Sequence, residues 1–145
     1  MPERPLAPGA FGENFTTLGL PEESVHIGDR FRIGSAELVV TQPRLPCFKL
    51  GIRFQSDAMV SRFLASGRMG FYFAVIREGD VESGDRIEPT FLDPASVQVS
   101  EIAHLYIAKH YSEADVQSAQ RALQVEALPQ GWKDHLAARL EAKSE

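Results

Sequence analysis

A single cysteine, Cys47, is all the thiol that these 145 residues carry. No internal disulfide and no Cys-x-x-Cys site can be built from it, so nothing calls for an oxidising compartment. The histidines, His26, His104, His110 and His135, show no metal-ligand spacing, and one cysteine cannot complete a zinc set with them. A phosphate-binding P-loop, a Gly-x-Gly-x-x-Gly turn and a Gly-x-Ser-x-Gly nucleophile elbow are all missing. No run approaches the roughly 20 apolar residues of a membrane span. Residues 1–20 hold no apolar stretch behind a basic start, which argues against a signal peptide. A cytoplasmic protein is expected. Nucleic acid is a poor partner for it, because the net charge is −5 and no basic-aromatic interleaving is visible.

What is present is unevenly spread. Between Gln42 and Arg77 stand six basic residues, Arg44, Lys49, Arg53, Arg62, Arg68 and Arg77, against Asp57 alone. Elsewhere acidic residues dominate. A small anionic ligand near the cysteine is one reading of that concentration. Basic residues scattered on separate faces and meeting only water are the other.

Cys47 sits within Thr41-Gln42-Pro43-Arg44-Leu45-Pro46-Cys47-Phe48-Lys49-Leu50. Each proline fixes its own φ and restricts the residue before it. Arg44 and Lys49 flank the sulfur with positive charge, which favours the thiolate, the form that attacks electrophiles and binds metals. The bland alternative is a small buried apolar residue, the commoner fate of a free cysteine.

The pattern along the chain is β first and helical afterwards. Arg30–Ile33 alternates, Gly34-Ser35 fits a two-residue hairpin turn, and Ala36–Thr41 returns, with Leu38-Val39-Val40 dense enough for burial on both faces. The spacing of Ala58, Met59, Phe63 and Leu64 predicts a helix over 57–65, with Ser56 or Asp57 as cap and Gly67 as stop. Gly70–Ile76 is aromatic and β-branched, hence a strand. Glu78-Gly79-Asp80 is a turn and Arg86-Ile87-Glu88 a further strand. Gly28-Asp29 and Gly84-Asp85 echo one another, each before an alternating segment, and read as turn residues rather than catalytic acids. After Pro94 three short helices are predicted. Ser100 is the expected cap of the first, and Ser112-Glu113-Ala114-Asp115 resembles a capping box for the second. Trp132, Leu136 and Leu140 lie four apart on the third, with Pro129 near its start.

Gly12-Glu13-Asn14-Phe15-Thr16-Thr17, Gly28-Asp29-Arg30-Phe31 and the Thr41–Leu50 segment together resemble a MOSC domain, the fold named after the C-terminal domain of molybdenum cofactor sulfurase. Gly70-Phe71-Tyr72 and Glu78-Gly79-Asp80-Val81 continue the likeness, and the C-terminal helices resemble the unit appended in the YiiM-type subgroup. The resemblance implies a mainly β fold with appended helices. An N-terminally short MOSC-like β-barrel, complete or not, would occupy residues 1–93 and a three-helix unit residues 94–145. It implies a molybdenum-cofactor (molybdopterin) protein, an oxidoreductase reducing N-hydroxylated compounds, with Cys47 as catalytic residue and metal ligand. Arg44 and Lys49 would pair with the cofactor's charge, and Asn14 and Thr16 would make polar contacts. Molybdenum-ion and pyridoxal phosphate binding are properties it also implies. With no flavin or iron–sulfur motif visible, electrons would come from an external reductase. Two alternatives stand beside this reading: a sulfur carrier through a Cys47 persulfide, and an inert MOSC-type binding module. Family members begin with a further β portion carrying a Gly-Asp and a His-Gly-Gly segment, and neither occurs before Pro8. Without that portion strand edges would be open, and pairing with a second copy as a homodimer is one way to cover them.

Overall fold

The computed structural model describes residues 6–144. Strands β1 (Arg30–Ile33) and β2 (Ala36–Pro43) form the expected hairpin, with Ile33 opposite Ala36 across Gly34-Ser35. Two short helices follow, α1 (Phe48–Phe54) and α2 (Met59–Ser66). Then come β3 (Phe71–Arg77), β4 (Ile87–Phe91) and the three expected helices, α3 (Val99–Ile107), α4 (Glu113–Leu123) and α5 (Gln130–Ser144). The strands make one antiparallel sheet in the order β3-β2-β1-β4. Its two outer strands do not pair with each other, so the expected barrel is an open sheet among the described residues. No described helix is long and apolar enough to cross a membrane.

The sheet has one apolar face. Alternation puts Ala36, Leu38 and Val40 of β2 on the same side, together with Phe31 and Ile33 of β1, and all five are buried. Val39 between them is only half-buried. Burial of β2 on both faces is therefore not observed; density of β-branched residues misled there. The buried face packs on Ile102, Leu105 and Leu136 of α3 and α5, so a single core runs from sheet to helices.

Main-chain bonds join the same two parts. Ile27 N–H donates to the Val97 carbonyl at 2.8 Å and Val99 N–H to the Val25 carbonyl at 2.9 Å, around a bridge between His26 and Gln98. Asp29, which is buried, organises this junction. Its carboxylate accepts from the amides of His26 (3.0 Å) and Asp93 (2.9 Å) and lies 3.2 Å from His26 Nδ1. Gly28 beside it has φ +92°, and a Cβ there would meet Asp93 Oδ2 at 2.4 Å. The Gly-Asp pair is thus a structural turn, as is Asp85, whose carboxylate accepts from Glu82 N–H at 2.8 Å.

A second, smaller cluster holds α1 and α2: Leu50, Met59, Phe63 and Met69 against Ala103 of α3, with Phe11 and Phe54 packed on it. The helix at 57–65 is observed slightly later and without the expected cap. Ala58 occupies the N-cap position and no side chain caps it, while Gly67 ends the helix in the left-handed conformation as expected. In the helical unit, Gln98 rather than Ser100 stands at the N-cap of α3, and Glu101 Oε2 accepts from Gln98 N–H at 2.8 Å.

Candidate functional site around Cys47

Helix α1 was not legible beforehand. Phe48, Leu50, Ile52 and Phe54 alternate in sequence as a strand would, yet they form two i,i+4 pairs of a helix. Leu50 and Phe54 turn to the small cluster, whereas Phe48 and Ile52 are about 70 % exposed (71% and 69%). Gln55, in the left-handed region at φ 49°, ends the helix after seven residues.

Cys47 is the N-cap residue of α1, in extended conformation (φ −118°, ψ 173°), where the rigid Pro43–Pro46 connection delivers it. Its carbonyl accepts from Leu50 N–H at 2.9 Å. Its sulfur makes no capping bond and is exposed. The buried apolar reading of the cysteine is excluded by that exposure.

The flanking cations divide into two kinds. Arg44 donates from Nη2 to the Phe11 carbonyl. Arg53 donates from Nε to the Ala10 carbonyl and from Nη2 to the Gly9 carbonyl at 3.5 Å. These two guanidiniums hold the 9–11 segment over α1, and Phe11 completes the grip by placing its ring 5.3 Å from Phe54 and 5.1 Å from Phe63. Lys49 is different: it is exposed and in no ion pair among the described residues.

The 9–16 segment is pinned from its amide side by Glu13. That carboxylate accepts from Gly9 N–H (2.6 Å), Phe11 N–H (3.0 Å) and the Thr16 hydroxyl (3.3 Å). Hydrogen bonding from its own main-chain amide, opposed by slight desolvation and helped by Gly9, Phe11 and Thr16, holds Glu13 below the usual carboxylate range. Thr16, an expected polar contact for a ligand, therefore already gives its hydroxyl to Glu13. Asn14 is exposed and bonds to no described residue. Neither Arg53 nor Glu13 was singled out from sequence, because their partners are main-chain groups about forty and four positions away, and main-chain partners leave no signature in residue types.

What the arrangement offers is one soft, solvent-facing sulfur and, on the first turn of the same helix, one ammonium in no ion pair among the described residues. No group of three or more His, Cys, Asp or Glu side chains that could hold a metal ion exists among the described residues. The MOSC domain family matches residues 1–88. The chain belongs to that family. A second match, to the YiiM-like 3-alpha helix domain, covers residues 99–142. The structure of YiiM from Geobacillus stearothermophilus is similar over 94% of this MOSC chain and 69% of its own, with a TM-score of 0.86 and 33% identity. YflK of Bacillus subtilis is 37% identical over 130 residues, which are 90% of this chain and 58% of YflK. A protein of Gibberella moniliformis named reductase is 40% identical over 80 residues, 54% of this chain and 14% of that protein. The MOSC chain thus spans less than two thirds of the curated relatives it matches.

Proposed function

We propose that this MOSC chain holds the molybdenum cofactor through the Cys47 thiolate and serves the reduction of N-hydroxylated compounds. The observation that carries the proposal is the exposed sulfur at the start of α1, left out of helix capping and placed by two prolines. A free soft donor of this kind fits a thiophilic metal. The anionic phosphate of the pterin would fit Lys49, which is in no ion pair among the described residues, and the N–H groups of Arg44 that remain after its bond to Phe11. The fit is narrower than the sequence promised, since Arg53 is spent on main-chain carbonyls and Thr16 on Glu13. When bound, the molybdenum supplies two-electron redox chemistry. The protein's own share is to present the thiolate and orient the ligand by charge. The net reaction takes R–NHOH, two electrons and two protons to R–NH2 and water, the electrons coming from a separate reductase. The reductase name of the Gibberella relative supports this class.

The same exposure favours a second reading, in which Cys47 carries a persulfide. Protein from a host that makes the cofactor separates them. The first reading predicts molybdenum and pterin in the purified protein and reductase-dependent turnover of a hydroxylamine, both lost in Cys47→Ala. A reducible gain of one sulfur on Cys47 with no molybdenum would give the site to sulfur transfer.

A further inference from the structure

Helix α1 has two unlike sides. Leu50 and Phe54 turn inward to the small cluster. Phe48 and Ile52, also four apart, project from the opposite side and are 71% and 69% exposed. Single exposed apolar residues are ordinary, but these two stand one turn apart and directly after the exposed Cys47. The border of the pair is basic. Lys49 and Arg53 follow its members by one position, and Arg62 of α2 and Arg68 after it are exposed as well. Between Arg44 and Arg68 the sequence sets five cations against one acid, Asp57. None of the five is in an ion pair among the described residues. Arg44 and Arg53 bond to carbonyls, which leaves their charge uncompensated. An apolar centre inside a charged rim of one sign is the composition of a protein-docking surface.

We propose that this face docks the electron donor, a one-electron carrier protein with an acidic surface around its redox group. The inference rests on the reductive function proposed for Cys47. That reaction takes two electrons, and no flavin or iron–sulfur motif stands in these 145 residues. Two reduced carriers therefore deliver one electron each and leave oxidised. Phe48 follows Cys47 directly, and Ile52 lies about 6 Å further along the helix, so a carrier seated on the pair is brought beside the sulfur. The size agrees as well, since electron-transfer encounters use small interfaces whose energy is concentrated in a few central side chains. An anionic membrane is a poorer occupant. The net charge of −5 opposes it, and a seven-residue helix offers little apolar area to bury in a bilayer.

The probe is a plant-type [2Fe–2S] ferredoxin, an acidic one-electron carrier, with cytochrome c as its basic counterpart. Ferredoxin added at low salt to the nitrogen-15-labelled full chain is expected to shift or broaden the amides of Phe48–Phe54 saturably, and cytochrome c to leave them unmoved. Raising the salt from about 50 to about 200 mM is expected to weaken the ferredoxin complex at least about threefold. Ile52→Glu, at an exposed position outside the core, is expected to weaken binding and to lower kcat/KM for ferredoxin-driven reduction of a hydroxylamine, each by at least about tenfold, while Ile52→Leu keeps both. Turnover driven by reduced methyl viologen, which needs no docking face, is expected to be equal in Ile52→Glu and the native protein. No saturable shift, shifts confined to other elements, an equal response to cytochrome c, or native ferredoxin affinity in Ile52→Glu would each overturn the docking face. Absence of viologen-driven turnover in the native protein would instead overturn the function proposed for Cys47, and the amide shifts, which need no molybdenum, would still decide the face.

Discussion

Two helix starts in this molecule, Ser112 and Cys47, solve the same problem in opposite ways. At α4, Ser112 Oγ accepts from Asp115 N–H at 3.2 Å, and Asp115 returns the favour by accepting from Ser112 N–H at 2.8 Å. Both side chains are consumed by the helix. At α1 the N-cap side chain is a thiol that caps nothing, and the first turn carries no acidic residue. The segment is held instead by Arg44 and its own Arg53 on the carbonyls of Phe11 and Ala10, and by one apolar cluster. The difference teaches where this fold spends its side chains. The helical unit uses its polar groups to stabilise itself, with Glu101 also bonded to Ser118 and Arg121, whereas the Cys47 turn leaves its most reactive atom free.

That contrast is breakable at several levels. The largest effect is expected in the shared core. Leu136→Ala removes a fully buried side chain and should cost about 2–5 kcal/mol, seen as a lowered denaturant midpoint of the whole chain. Phe63→Ala strikes only the small cluster beneath α1 and α2. Its cost should fall at or below about 3 kcal/mol, and amide exchange should quicken in Phe48–Phe54 and Met59–Ser66 while α5 keeps its protection. Equal loss of protection in α5 would show the two regions to be one cooperative unit.

The smallest effect is acid sensitivity. Asp115 is held below the usual carboxylate range by hydrogen bonds from the Ser112 amide, then the Ser112 hydroxyl, with desolvation opposing and His104 helping. Glu13 is lowered as well. A carboxylate with a depressed folded-state pKa stabilises above its unfolded pKa, and that stabilisation disappears as pH falls through the folded value. Both contributions should therefore fade as pH drops below about 4. Asp115→Asn should remove the part felt by α4, and Glu13→Gln the part felt by residues 9–16, each read as local amide exchange against pH.

How much of this was legible beforehand follows the same division. The β1–β2 hairpin, the Ser112 box and the Trp132–Leu136–Leu140 helix were readable because their determinants are local: a two-residue turn, a cap three residues from its partner, a four-residue period. The exposed cysteine was singled out by its two prolines. Helix α1 was hidden by a period-two pattern that two opposite i,i+4 pairs mimic. The open sheet in place of a barrel, the arginine grip on Gly9–Phe11 and the Gln42–Trp132 contact, 90 residues apart, depend on long-range placement that no local pattern encodes. Ser100, and Ser56 or Asp57, were reasonable caps, but Gln98 and Ala58 stand at those starts, one or two residues away, and helix ends are the least sharply defined part of an element.

The central claim is that the Cys47 sulfur is free in order to bind a metal. Molybdenum K-edge absorption on protein from a cofactor-competent host tests it most directly, by counting sulfur neighbours of the metal. The account predicts one fewer sulfur scatterer in Cys47→Ser than in the native chain, or no bound molybdenum at all in the variant. An identical sulfur shell and identical occupancy in both proteins would contradict it.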